Sequence, residues 1–251
     1  MDWFIPLVAF IASWLTFFSG FGLGTLLMAV LACYFSPDIA IAYTALVHFA
    51  SNTFKLLLNR KIDWDIFKKF GLVAIVSAIL GSMLLDVIAD SDFVLYDLLR
   101  FGALKPVKLL SFTVGLMLIV FSLFEWKYKS KAISIPLWLG GVLSGFFGGI
   151  SGHQGALRSA FLSKRIPDVH RFVATTALIS WCVDIGRISV YNWRMEMHSL
   201  SWILLISTIS SALIGVVLGT ILIKKATIPL VQHFVVVYLF LLGLGMITGW
   251  V

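Results

Sequence analysis

The chain has 251 residues, of which 60% are hydrophobic and only 12% are charged. Soluble proteins are about 45–50% apolar and about 25% charged, so these values exclude a water-soluble fold and predict a protein embedded in lipid. The net charge of +7 indicates cytoplasmic loops rather than a surface for nucleic acid, because the chain has no basic low-complexity tail.

The first predicted element is an apolar segment, 3–35, that a glycine cluster interrupts at Gly20, Gly22 and Gly24. The cluster divides the segment into two pieces of about 15 residues, each too short to cross a bilayer. The segment is therefore predicted to be a broken helical hairpin. Three uninterrupted transmembrane helices follow, at 39–58, 70–85 and 109–124.

The second half of the chain repeats this plan after a linker at 127–132. A glycine-interrupted hairpin at 135–162 is followed by three more helices, at 172–191, 200–223 and 228–251. Matching motifs support the repeat: the Thr-Ala-Leu at Thr44 recurs at Thr176, and "SAILG" at 77–81 recurs as "SALIG" at 211–215. We therefore predict an all-α polytopic membrane protein made of two repeats, 1–126 and 133–251.

Lys and Arg residues set the orientation, because cytoplasmic loops carry an excess of them. The segment 55–69 has five and the linker segment 127–131 has three, which places both in the cytoplasm. The segment 86–108 then becomes an external loop. Because each half has three spans after its hairpin, the two repeats are expected to be inverted relative to each other, as in many secondary transporters.

The two glycine clusters are predicted to form a substrate site. Bare backbone amides cost several kcal/mol each in hydrocarbon, so a helix breaks there only where it lines a cavity or meets a ligand. Helix N-termini at the breaks favour an anion. In the alternative interpretation, spaced pairs such as Gly141/Gly145 and Gly145/Gly149 only allow close helix packing.

Polar residues at membrane depth form one stripe in each half, at identical spacing. The stripes are Thr44, His48, Asn52 and Lys55 in the first half, and Thr176, Ser180, Asp184 and Arg187 in the second. Such residues normally face a partner, a cavity or a pathway, and Asp184 is the candidate for proton coupling. In the alternatives, Lys55 and Arg187 snorkel to headgroups, Asp184 and Arg187 form a structural pair, and His48 only packs.

Three polar residues, His153, Gln154 and Arg158, stand at the second break, where a guanidinium suits sulfite, sulfonate or carboxylate oxygens. Arg158 could instead anchor the cytoplasmic end of the hairpin. Cys33 and Cys182 show neither metal-ligand nor disulfide spacing, so no metal or cofactor is expected. The predicted substrate-binding residues are Gly20, Gly22, Gly24, His48, Asn52, Lys55, Gly149, Gly152, His153, Gln154, Gly155, Arg158 and Arg187.

The order of these motifs resembles the TauE/SafE sulfite exporter family, also called the 4-toluene sulfonate uptake permease family. The matching pieces are the glycine clusters at 20–24 and 148–155, Pro37 and Pro167 in the following turns, and the helix starts at 42–46 and 174–178. The resemblance implies a multi-pass transporter of the bacterial inner membrane that moves sulfite or a small organosulfur anion, driven by a proton or sodium gradient. Glycine-rich faces such as Gly245/Gly249 permit a homodimer.

Other functions have less support from the residues. "GISG" at 149–152 matches a rhomboid protease element with Ser151 as nucleophile, but "WR" at 193–194 follows the serine, whereas in rhomboids it precedes it. A cation transporter is disfavoured, because Asp184 is outnumbered at depth by cations. An anion channel and a carrier are not distinguished by the residues. We predict a transporter, not an enzyme.

Overall fold

The computed structural model describes residues 3–17, 22–100, 103–128, 135–191, 201–222 and 228–250. It is mostly helical, as the composition predicts. The helices are α1 Phe4–Thr16, α2 Leu23–Leu31, α3 Pro37–Leu58, α4 Trp64–Ile66, α5 Leu72–Asp90, α6 Leu109–Tyr128, α7 Leu137–Ser151, α8 Gln154–Leu162, α9 Val169–Tyr191, α10 Trp202–Leu222 and α11 Ile228–Ile247. A π-helical segment, Phe67–Gly71, joins α4 and α5 into one continuous helix. The predicted linker lies largely outside the described residues.

Within the described ranges, four helices are long and apolar enough to cross a membrane. They are Trp64–Asp90, Leu109–Lys127, Val169–Val190 and Trp202–Ile221. Their outer faces expose large apolar side chains, such as Ile203 at 82% and Ile221 at 70%, which water would not tolerate in such numbers. The chain is therefore an integral membrane protein.

Both predicted hairpin segments are broken into two helices at a glycine with a positive φ. In the first, α1 ends at Thr16 and α2 begins at Leu23, with Gly22 at φ 122°. In the second, α7 and α8 are separated by Gly152, at φ 75°, and one further residue. Because side chains with a Cβ rarely adopt these values, the glycines permit the breaks.

The helices of the two predicted repeats are interlaced. The first helix of each hairpin packs on the other half of the chain, α1 against α10 and α7 against α5. Across the centre, α3 packs on α9 and α6 packs on α11. In the predicted repeat, α1 corresponds to α7, α3 to α9, α5 to α10 and α6 to α11. If each helix is exchanged for its counterpart, the same four pairs result. The main helix contacts therefore cross between 1–126 and 133–251.

Glycines let the crossing helices approach closely, and they do so at equivalent positions. A Cβ on Gly81 would overlap the carbonyl oxygen of Phe146 in α7, and a Cβ on Gly215 would overlap that of Phe10 in α1. These two glycines end the matching "SAILG" and "SALIG" motifs. Close helix packing is thus the role of glycine at several positions outside the breaks.

The segment after α5 corrects the sequence interpretation. Helix α5 continues to Asp90, and the predicted loop contains an antiparallel hairpin of β1, Val94–Arg100, and β2, Ala103–Lys108. The all-α prediction is wrong for this segment, because a residue of each strand contacts the end of α11 or the turn after it. Tyr96 donates a hydrogen bond to the carbonyl of Ile247 at 2.7 Å, and Val107 is buried.

Candidate functional site

The two breaks lie side by side inside the protein. A Cβ on Gly24 would stand 3.6 Å from the carbonyl oxygen of Gly152 and 3.7 Å from Cδ2 of His48. Helices α2 and α8, nine residues each, begin at the breaks, and their N-cap residues Gly22 and His153 form no side-chain cap. Two helix N-termini without such caps thus flank one interior region, where N–H groups favour an anion.

Asp184 of α9 joins the elements around the breaks. Its Oδ1 atom accepts hydrogen bonds from Nε and Nη2 of Arg187 at 3.0 and 2.6 Å, and from Nε2 of Gln154 at 3.5 Å. Its Oδ2 atom lies 2.8 Å from Nδ1 of His48 and accepts from Nδ2 of Asn52 at 3.4 Å. One buried carboxylate therefore ties together α3, α8 and α9.

Two further cations lie on the same side of the breaks. Arg158 donates from Nη1 to Oε1 of Gln154 at 3.3 Å, and Nζ of Lys55 lies 5.8 Å from the ring centroid of Phe17. Both cations line a narrow cavity of about 10 Å³, room for about one water molecule. The polar residues that also line it are His48, Asn52, Thr176 and Ser180.

Buried positive charge exceeds buried negative charge around the breaks. Among the side chains that the structure describes, the buried lysine and arginines are Lys55, Arg158 and Arg187, against one buried carboxylate, Asp184. Lys55 is 7% exposed, Arg158 is 1% exposed and Arg187 is fully buried, so all three side chains are enclosed by other parts of the protein. Side chains that snorkel or anchor at a surface would be exposed, so this burial disfavours those alternatives.

Several polar atoms around the breaks are buried without a hydrogen-bond partner in the described part of the chain. They are Nη1 of Arg187, Nε2 of His153, Oγ1 of Thr44 and Oγ of Ser180. Nη1 of Arg187 lies against the second break, 3.2 Å from where a Cβ on Gly152 would stand. A buried donor left unsatisfied costs about 1–3 kcal/mol, so Nη1 of Arg187 and the two hydroxyls mark positions where an oxygen ligand would stabilise the protein. Nδ1 of His153 faces a main-chain oxygen and carries the ring proton, so Nε2 is left as an acceptor.

The serine of the rhomboid alternative is not placed for nucleophilic attack. Ser151 is fully buried in the last turn of α7, and its hydroxyl donates to the carbonyl of Phe147 at 2.9 Å. Nδ1 of His153 lies 2.6 Å from the main-chain oxygen of Ser151, while the His233 side chain is exposed on α11. A serine nucleophile needs a base on its hydroxyl, and this hydroxyl is bonded to its own helix.

The structure gathers most of the predicted site residues and separates a few. Gly22, Gly24, Gly152 and all the predicted polar residues lie around the breaks, whereas Gly20 lies outside the described residues. Gly149 faces α5, where a Cβ would overlap the carbonyl of Ala78, so it permits close packing of α7 on α5. Gly155 lies in the first turn of α8 and is half-buried.

Two side chains near the second break were not predicted from the sequence. Ser144 of α7 donates to the carbonyl oxygen of Gln154 at 3.1 Å and so steadies the start of α8. Phe121 of α6 stacks on the His153 ring, with centroids 6.3 Å apart and planes at 15°. A serine and a phenylalanine in apolar helices carry no sequence signal that distinguishes them from ordinary core residues.

The family model of the sulfite exporter TauE/SafE matches residues 5–246. The chain belongs to the TauE/SafE family. This confirms the resemblance drawn from the glycine, proline and Thr-Ala-Leu motifs, and TauE/SafE proteins are membrane transporters of the sulfite or anion exporter type rather than enzymes. No curated protein and no solved structure matches the chain closely enough to count as a relative.

Proposed function

We propose that this TauE/SafE chain is a secondary carrier of sulfite or a small organosulfonate, which binds where the two glycine breaks meet. The observation that carries the proposal is the excess of buried positive charge, Lys55, Arg158 and Arg187 against Asp184. A buried charge without compensation is strongly destabilising, so the site favours a negatively charged ligand. Sulfite and sulfonate oxygens match both a guanidinium fork and the N–H groups of helix N-termini.

The narrow cavity supports carriage by alternating access rather than by an open pore. A space of about 10 Å³ does not admit an oxyanion, so the helices around it must separate before the substrate binds. Glycine breaks next to the cavity provide points where α2 and α8 can turn. A channel, by contrast, needs a continuous path in at least one state.

The helix pairing supports the inverted repeat on which alternating access depends. The pairs α1/α10 and α5/α7 exchange when the halves are exchanged, and α3 pairs with its own counterpart α9. Asn52 and Asp184, which occupy equivalent positions of the two stripes, are hydrogen-bonded to each other at 3.4 Å. We propose that a two-fold axis in the membrane plane passes between α3 and α9.

Asp184 is the proposed coupling residue. An oxyanion that bonds to Arg187 competes with Asp184 for the same guanidinium. The Asp184 carboxylate, released from Arg187, would then take up a proton that neutralises its charge. One anion and one proton would therefore move together. This mechanism predicts that the Asp184→Asn variant transports down a concentration gradient but no longer responds to a pH gradient, and a sodium gradient applied instead tests sodium coupling.

The test is uptake into proteoliposomes of sulfite, sulfoacetate, taurine, sulfate and short carboxylates, with and without a pH gradient. We expect saturable uptake of one sulfur oxyanion class, and a fall of at least about tenfold in Arg158→Gln, equivalent to about 1.4 kcal/mol. The matched control is Lys164→Gln, which removes an exposed cation six residues further along. Equal flux in Arg158→Gln and wild type contradicts the site, and flux that never saturates indicates a channel.

A further inference from the structure

A second basic pocket lies away from the breaks, where the connection between α3 and α4 meets the start of α9. Its volume is about 400 Å³. The residues that line it are Arg60, Lys61, Ile62, Trp64, Asp168 and Arg171. None of these belongs to the polar stripes or to the glycine clusters, so the proposed transport site does not account for the pocket.

The pocket is held together by contacts between the two halves of the chain. Asp63 donates from its main-chain nitrogen to Oγ1 of Thr175 at 2.9 Å. Its carboxylate accepts from the main-chain nitrogen of Ile66 at 3.2 Å and lies 3.9 Å from Nη1 of Arg171. The residues before α4 are thus fixed against α9, and the side chains that line the pocket converge from separate parts of the sequence.

The lining carries more positive than negative charge. Arg60, Lys61 and Arg171 stand against one lining carboxylate, Asp168. That carboxylate is engaged as a helix cap, since Oδ1 of Asp168 accepts the main-chain N–H of Arg171 at 2.7 Å. The hydrogen bond lowers the pKa of Asp168, so the carboxylate is ionised at neutral pH. Together with Asp63, whose carboxylate lies 3.9 Å from Arg171, two carboxylates stand against three cations, so the pocket keeps an excess of one positive charge.

The helix that begins at the pocket also carries an apolar stripe. Trp64, which lines the pocket, is 58% exposed and begins the helix Trp64–Asp90. After the exposed Lys68 and Lys69, exposed apolar side chains follow at intervals of four residues: Leu72 at 49%, Val76 at 61% and Leu80 at 56%. A small inorganic anion needs no such surface, whereas a molecule with a charged head and long alkyl chains would cover both parts.

We propose that this pocket binds the phosphate of an anionic phospholipid, with the acyl chains along the Leu72, Val76 and Leu80 stripe. Basic pockets at the ends of transmembrane helices suit phospholipid headgroups, and a tryptophan at the membrane interface is typical of such positions. The lipid would link the α3–α4 connection to α9 and so stabilise this end of the protein.

Native mass spectrometry of the delipidated protein tests the proposal with added phosphatidylglycerol or phosphatidylcholine. We expect the wild type to retain phosphatidylglycerol preferentially, and Arg60→Gln/Lys61→Gln to bind it about 30-fold more weakly, from roughly fivefold per cation removed near a membrane surface. The matched control, Lys105→Gln/Lys164→Gln, removes two exposed cations outside the pocket and should bind as the wild type does.

Three results would overturn the proposal. Equal losses in the two double variants would show a general effect of surface charge. Displacement of the lipid by millimolar inorganic phosphate or sulfite would assign the pocket to a free anion. Equal retention of phosphatidylglycerol and phosphatidylcholine by the wild type would remove the headgroup specificity. Because the measurement involves no flux, its result is independent of the transported substrate.

Discussion

The buried pair of Asp184 and Arg187 gives the sharpest test of the site geometry. Asp184→Asn keeps the shape of the side chain but removes the negative charge that meets two N–H groups of Arg187, at 3.0 and 2.6 Å. Both side chains are fully buried, so water does not replace the lost partner. The change therefore leaves a guanidinium in the interior without its carboxylate.

The expected size follows from this burial. Removal of one partner of a buried pair costs about 3–5 kcal/mol, because the other charge is left buried without compensation, whereas replacement of both by well-packed apolar residues is often neutral. We therefore expect Asp184→Asn and Arg187→Gln each to lower the free energy of unfolding by about 3 kcal/mol or more. The double variant should lose less than the sum, with a coupling energy of at least about 2 kcal/mol.

The assay is denaturant unfolding in mild detergent, followed by tryptophan fluorescence. Asp65→Asn and Lys69→Gln provide the matched control, because this pair lies at 2.8 Å with side chains 67% and 61% exposed. An exposed helical pair contributes about 0.5 kcal/mol or less, so its cycle should be nearly additive. A coupling energy between Asp184 and Arg187 no larger than that of the control pair would refute the buried ion pair.

Further predictions concern individual backbone and cap positions. Gly152→Ala adds a Cβ at φ 75° and should reduce both sulfite flux and stability. Gly249→Ala, at φ 63° beyond α11, has a similar backbone cost of about 1–2 kcal/mol but should retain flux. Equal flux in the two variants contradicts a role for the break. Gly145→Ala should destabilise the protein by about 1–3 kcal/mol in the same assay, because its Cβ would overlap the carbonyl of Ala74, and an unchanged midpoint contradicts that contact. Asp168→Asn should lower the melting temperature at pH 7. The pKa of Asp168 is lower in the folded protein than in the unfolded chain. The stability that its charge contributes is therefore fully present above the unfolded pKa and is lost as pH falls through the folded pKa. A difference in melting temperature between Asp168→Asn and the wild type that persists below the folded pKa contradicts the cap.

The polar residues that gather around the breaks were predictable as candidates, because the two stripes carry them at identical helical spacing. Asn52 and Asp184 could be singled out from periodicity and burial cost alone. Their hydrogen bond could not, because it depends on how α3 crosses α9, and no local pattern specifies the crossing of two helices far apart in sequence.

The roles of individual glycines were only partly predictable. Gly149 and Gly152 are three residues apart and belong to one sequence cluster, yet the first packs α7 on α5 and the second ends α7 with a positive φ. Glycine is suited to both roles, so composition does not separate them. The same limit applies to the strands after α5, in the segment expected as an external loop, because their partner surface at Ile247 was unknown.

The interlaced halves explain how two distant glycine clusters form one region. If each half packed only on itself, the breaks would lie in separate bodies. Instead α1 is seated on α10 and α7 on α5, with glycines at the contacts, so each hairpin is anchored in the opposite half. In the proposed transport cycle, a backbone rotation at Gly22 or Gly152 therefore moves α2 or α8 relative to the helix pairs that join the two halves. The short helices that present their N-termini to the substrate are then the parts that can move, while the glycine-packed pairs stay together.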